Sequence, residues 1–364
     1  MSMPLRVGID ISAIPYGRGV SRYTANLVRE LVQEKDVAVR MLGYSLRQRT
    51  QLQEFAKLTC SACHTRILPH PAKLMNILWN DVHKVSPEFF LGDIQVFHSW
   101  EFQPPLKKAA LISTIHDLAM LRFPETADPY VLSVHEKSWK HLKKEAKAVI
   151  AVSESTKKDI VELLGIDEKK VFVVYEALPE EAKTVLSQEE KERVIKHFNL
   201  TRPFFFFLGT AEPRKNLPRL VEAWRKYRDD FDLVLAGGSG WEDLKPEPQL
   251  HLVGPVSHHE AVALYQSAEA FVYPSLYEGF GLPILEAFFH GTPVLTSNTS
   301  SLPEVGGNAA IYVDPLEIES IRSGLEKVVK QKHELIELGK KQLERFSWKK
   351  AASETIEVYR RVAV

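Results

Sequence analysis

Two carboxylates and two cations carry the most chemistry in this chain. Glu278 and Glu286 lie on either side of the run Gly279-Phe280-Gly281-Leu282-Pro283. Glu286 sits among Leu282, Ile284, Leu285, Phe288 and Phe289. A carboxylate in so apolar a setting is costly unless it is hydrogen-bonded or paired. A sugar offers many hydroxyl donors, and one carboxylate accepts from two of them. The plainer alternative is a structural glutamate paired with an Arg or Lys of a neighbouring element. Earlier in the chain, Arg214-Lys215 follows an unbroken apolar run, Phe204 to Leu208. Adjacent cations beside a helix start suit a diphosphate and stabilise its growing charge as it departs. The alternative there is an exposed, salt-bridged pair. His98 and His116 each stand where a short apolar run ends, a place suited to a ligand contact.

The elements that must position these groups follow from periodicity. Ala270 to Pro274 reads as a buried strand, and Leu276 to Gly281 as a loop. Pro283 begins a helix that stops near His290–Gly291, and a second buried strand spans 293–296. The same strand, loop and helix recur at Pro203–Gly209, Thr210–Pro218 and a helix through Arg225, the strand being buried on both faces. They recur again at the start. Leu5 to Asp10 is a strand, Gly17 and Gly19 make a turn, and a helix carries Arg22 toward Leu31. The chain alternates strand and helix throughout, which predicts an α/β protein of parallel sheets binding ligands at strand carboxyl ends.

At 364 residues, two domains are expected. The boundaries read as 1–178, 179–345 and a terminal helix, 346–364. Zero net charge gives no global case for nucleic acid or an anionic membrane. No apolar run reaches the length of a span, and no secretory leader is evident at the N-terminus, so a cytoplasmic protein is expected. Lys73 to Val85 has Leu74, Ile77, Leu78, Val82 and Val85 at helical spacing, read as a core face with Met75 and Trp79 on an adjoining edge. Its alternative is a helix that faces the acceptor or makes weak peripheral contact with the inner face of a membrane. Cys60-Ser61-Ala62-Cys63-His64 matches a haem-attachment pattern, but export and further ligands are missing, so two reduced thiols are expected. A metal-binding D-x-D at Asp230 and Asp232 precedes a strand instead of ending it, so no metal and no cofactor are expected.

Glu278-Gly279-Phe280-Gly281-Leu282-Pro283-Ile284-Leu285-Glu286 resembles the E-x7-E signature of the retaining, nucleotide-sugar-dependent glycosyltransferases of family 4. Thr114-Ile115-His116-Asp117-Leu118 and Lys215 match further family positions. The resemblance implies a GT-B fold: two Rossmann-like domains whose parallel sheets face a central cleft. It implies that Glu286 holds the ribose, while Glu278 and the amides of Phe280, Gly281 and Leu282 hold the sugar and phosphates. Lys215 grips phosphate. Many members have an arginine where this chain has Thr210, and Arg214 is the expected substitute. Gly17 and Gly19 touch the diphosphate, His116 lies beside the sugar, and Val256 and His258 contact the base. Gly237-Gly238-Ser239-Gly240 approaches the donor. Arg22 and His98 are candidates for the acceptor side. The start of the chain and the Glu212-Pro213-Arg214-Lys215-Asn216 form look most like bacterial mannosyltransferases of surface-polysaccharide assembly. GDP-mannose is then the expected donor and a UDP-hexose the second, with a saccharide or polyprenyl-linked acceptor. Rival readings are a sugar-nucleotide epimerase or phosphorylase of the same fold, a non-catalytic nucleotide-sugar binder, and an NAD-dependent oxidoreductase with an incomplete fingerprint.

Overall fold

The computed structural model describes residues 3–17, 19–238 and 244–363. Ser239 and Gly240 of the expected donor-side turn lie outside them. The chain divides into two units, Met1–Glu176 with Ser347–Val364, and Ala177–Phe346. The terminal helix belongs to the first unit.

Unit 1 is built on seven strands: β1 (Leu5–Asp10), β2 (Val37–Tyr44), β3 (His64–Leu68), β4 (Val96–Ser99), β5 (Ala110–Ile115), β6 (Ala148–Ala151) and β7 (Val171–Val173). They pair in parallel in the order β3-β2-β1-β4-β5-β6-β7. Strands β4, β5 and β6 are buried along their whole length, which is why they read as apolar runs. The helix Trp348–Val362 packs on the first helix, Gly19–Leu31. Trp348 meets the Tyr23 ring edge-on at 5.5 Å, and the Tyr359 hydroxyl reaches His98.

Among its described residues unit 2 has six strands: β8 (Phe204–Leu208), β9 (Asp232–Ala236), β10 (Leu250–Gly254), β11 (Ala270–Tyr273), β12 (Val294–Ser297) and β13 (Ala310–Val313). Their order is β10-β9-β8-β11-β12-β13, again all parallel. The order reverses direction between β8 and β11. Their exit loops therefore splay apart from neighbouring connections and leave a crevice at the carboxyl edge. In unit 1 the same reversal falls between β1 and β4. Gly237 lets the exits of β9 and β8 close up: a Cβ there would lie 1.8 Å from the Gly209 carbonyl oxygen.

Two expectations are corrected. The segment 73–85 is not one helix with Leu74, Ile77, Val82 and Val85 inward. An α-turn, Ala72–Asn76, runs into a π-helical turn, Ile77–Asp81, closed by Val82 N–H donating to the Ile77 carbonyl at 2.8 Å. The extra residue per turn rotates the face. Met75 and Trp79 are buried against Tyr44, Phe97 and Phe102, while Leu74, Ile77, Val82 and Val85 are 36–49% exposed. The aromatic area that motivated a membrane-facing reading is therefore inside. Among the described residues no helix is long and apolar enough to cross a membrane. Second, Cys60 and Cys63 are joined in a disulfide rather than reduced. The turn after the helix Arg49–Thr59, with Cys63 N–H donating to the Cys60 carbonyl at 3.2 Å, brings their Cα atoms to 5.4 Å, within bonding reach.

Candidate active site

The crevice of unit 2 is organised by Glu278. The β8 exit loop carries Arg214 and Lys215, and the β11 exit loop carries Glu278. Two contacts stitch the loops together. Leu276 N–H donates to the Arg214 carbonyl at 2.7 Å, and the Asn216 amide donates to the Pro274 carbonyl at 3.1 Å. Lys215 Nζ then donates to Glu278 Oε1 at 2.6 Å and to the Tyr273 hydroxyl at 2.7 Å. Arg214 Nη1 donates to Glu278 Oε2 at 2.8 Å, and its Nε to Glu212 Oε2 at 2.7 Å. Thr210 donates to Glu212 Oε1 at 2.6 Å. Each oxygen of Glu278 thus faces its own cation.

Electrostatics follow from burial. Burial alone would raise the Glu278 pKa, but Lys215 and Arg214 outweigh it and hold the carboxyl down at about 2. For Lys215, burial lowers the pKa, and Glu278 opposes that loss. Lys215 is only 5% exposed, so the exposed-pair alternative does not describe it. The structural-pair alternative does describe the contacts of Glu278. Two of the three N–H bonds of Lys215 are committed to Glu278 and Tyr273, and an ammonium has a third to offer a phosphate oxygen.

The β11 loop leads to the helix Leu282–Phe289. Gly281 caps it at φ +112, a conformation that L side chains rarely adopt. Amides at the start of a helix have no intrahelical acceptor, so those of Gly281 and Leu282 form an anion-favouring end. Ser301 pins the loop, its one hydroxyl proton shared between the carbonyls of Glu278 and Phe280 at 2.9 and 2.7 Å. Phe280 is buried with its ring edge-on to Phe346. Glu286 is buried one turn into the helix, on the same element as the loop it was expected to serve. Val256 and His258 follow β10, the edge strand, and His258 Nε2 lies 3.3 Å from the Thr184 hydroxyl.

In unit 1, His116 follows β5. Its Nδ1–H donates to Glu176 Oε1 at 2.8 Å, which leaves Nε2 bare; that nitrogen is buried and has no partner among the described residues. The pair fixes the tautomer and turns a lone pair outward from the carboxylate. Gly17 holds φ +68, which strains any side chain although none would meet a neighbouring atom, while at Gly19 a side chain would meet nothing. Arg22 lies on the helix after them, half-buried. His98 departs from its expected acceptor-side place. It is fully buried, with Nδ1 2.6 Å from the Tyr359 hydroxyl and Nε2 2.8 Å from the Thr114 hydroxyl. Burial, with a smaller push from His116, lowers its pKa to about 3. It is a neutral core histidine, because the terminal helix covers it.

Sequence reasoning passed over Asp10, the last residue of β1. Asp10 lines a pocket of about 90 Å³ with Tyr16, Trp100, Glu101 and Phe102 beside the sheet reversal of unit 1. Burial raises its pKa to about 6 against hydrogen bonds from Ser12 and Tyr44. A polar residue closing a strand at a sheet reversal was the available signal. Glu176, whose contact with His116 spans 60 residues, gave none.

The arrangement of both units matches known proteins. The family described as Glycosyltransferase Family 4 matches residues 17–181, and the family Glycosyl transferases group 1 matches residues 188–359. This chain belongs to glycosyltransferase family 4. The glycosyltransferase is 27% identical to O-antigen chain mannosyltransferase B of Escherichia coli, over 94% of this chain and 96% of that one. It is 31% identical to the serotype-specific mannosyltransferase WbdA of Escherichia coli over 60% of this chain, which is 29% of that longer protein. Its GT-B fold is shared with a glycosyltransferase from Rickettsia africae ESF-5, at 15% identity and TM-score 0.74, covering 99% of this chain and 98% of the other.

Proposed function

We propose that this glycosyltransferase moves mannose from GDP-mannose, with retention of configuration, onto a saccharide or lipid-linked saccharide of a cell-surface polysaccharide. The observation that carries the reading is the Lys215–Glu278–Arg214 cluster at the sheet reversal of unit 2, beside an open helix start. The relatives named mannosyltransferases supply the choice of sugar.

In this reading the diphosphate sits on Lys215, Arg214 and the amides of Gly281 and Leu282. Glu286 accepts from the ribose hydroxyls and Glu278 aligns the sugar, with His116 the residue of unit 1 assigned to it. The bond between the anomeric carbon and the phosphate oxygen breaks, and its electron pair leaves with the diphosphate. Lys215 and Arg214 favour that departure because they already stand where the charge grows. The acceptor hydroxyl bonds to the anomeric carbon from the same face, and its proton passes to the departing phosphate. No cofactor is assigned a part.

A donor screen tests this. GDP-mannose, UDP-glucose, UDP-galactose and dTDP-glucose are each supplied with lipid-linked saccharide acceptors, and product linkage is read by nuclear magnetic resonance. Transfer of mannose with retained configuration supports the proposal. Transfer from a UDP-hexose alone replaces the donor, and conversion of the donor without acceptor indicates an epimerase.

A further inference from the structure

Unit 1 holds a second cluster of chemically capable side chains, outside the residues assigned above. His83 follows the π-helical turn Ile77–Asp81, and His141 and Glu145 stand one turn apart on the helix Pro129–Glu145. His83 Nε2 lies 3.0 Å from Glu145 Oε2, and His141 Nδ1 lies 3.7 Å from Glu145 Oε1. The two imidazoles stack face to face, centroids 3.7 Å apart and planes within 7°.

The other nitrogen of each ring faces a backbone carbonyl: His83 Nδ1 is 2.7 Å from the Trp79 oxygen, and His141 Nε2 is 3.0 Å from the Asn80 oxygen. A carbonyl only accepts, so each ring donates its proton there. In the neutral rings, both remaining nitrogens carry lone pairs, and both point toward one carboxylate. A single cation between the three groups satisfies all of them at once. Imidazoles whose far N–H is held by a backbone carbonyl are the arrangement that orients metal ligands.

The backbone supports the same conclusion. His83 and Val85 hold φ of +51 and +71, and a β-branched residue there is a genuine outlier. The side chains of His83, His141 and Glu145 are 20–27% exposed, so an ion can enter from solvent. Their ligand atoms all lie within 4.8 Å of one another. Ligands about 2.0–2.1 Å from a tetrahedral zinc stand about 3.3 Å apart, and the stacked rings must tilt apart to bring both in-plane lone pairs onto one ion.

We propose that His83, His141 and Glu145 form a binding site for a divalent transition-metal ion, with zinc the best match to two imidazoles and a carboxylate. The ion ties the π-helical turn to the helix Pro129–Glu145. Its fourth position is left to water.

The test uses the full chain stripped with EDTA and titrated with Co2+, followed optically, and with Zn2+ by calorimetry. One ion per chain is expected, with visible Co2+ bands that Zn2+ bleaches and a raised melting temperature. His141→Ala and Glu145→Gln each weaken binding by at least about tenfold, while the double variant Cys60→Ser, Cys63→Ser leaves it unchanged. Circular dichroism of the isosteric Glu145→Gln protein checks that the fold is intact. No bound ion, binding indifferent to both variants, or binding lost with the cysteines would overturn the site.

Discussion

Lys215 Nζ and Glu278 Oε1 lie 2.6 Å apart although 63 residues separate them in the chain. The parallel adjacency of β8 and β11 makes the contact, since each residue stands in the loop leaving one of those strands. Both side chains are buried, so each charge depends on the other.

Lys215→Ala should therefore damage two properties separately. It leaves the buried Glu278 carboxylate with Arg214 alone, so the cost stays below the roughly 3–5 kcal/mol of removing the sole partner of a buried charge. It also removes a donor to the leaving phosphate, an effect on the order of 10²–10³ in turnover. Adding Glu278→Gln should return much of the stability and none of the transfer. Melting curves and initial rates on the two proteins check this; recovered activity in the double variant would contradict the assignment.

Asp10 predicts a pH dependence. Its carboxyl rises from an ordinary value of 3.8 to about 6 in the folded chain. Between those values the folded state binds more protons than the unfolded one, so stability falls as pH rises and levels off above about 6. Asp10→Asn should melt with the wild type near pH 4. Above pH 6 it should gain up to about 3 kcal/mol, seen at about 2–4 °C per kcal/mol. Differential scanning fluorimetry across that range is the measurement, and a gain at pH 4 equal to that at pH 8 would refute the cause.

Glu176 acts on His116 and on nothing that reacts. Glu176→Gln keeps the length of the contact but lets the ring adopt either tautomer. Turnover should fall about tenfold or more with little change in KM, while Glu176→Ala should fall further. Equal KM and turnover in Glu176→Gln and wild type would show that the pair does not position the ring.

What could be read without coordinates was local. Phe204–Leu208 and Ala270–Tyr273 announced themselves as buried strands because parallel sheets cover both faces, and Gly281 and Pro283 punctuated the helix start. The placement of Arg214, Lys215 and Glu278 in the loops that leave those strands was legible for the same reason. Their mutual pairing was not, because it depends on which strands become neighbours. The segment 73–85 misled because periodicity assumes 3.6 residues per turn, and one π-helical turn shifts the face. His98 misled because the residue that encloses it, Tyr359, lies 261 positions away. For Cys60 and Cys63, composition argued about compartment while a tight turn decided the distance.

The excursion of the chain through unit 2 before it returns with Trp348–Val362 has a consequence for synthesis. On the ribosome, residues 177–346 emerge as one continuous stretch and can close their sheet unaided. The earlier-made portion must wait for the final helix, since Tyr23 and His98 stay uncovered until Trp348 and Tyr359 arrive. The first half translated is therefore the last to mature, and a premature stop near residue 346 spares the later fold while leaving the earlier one open.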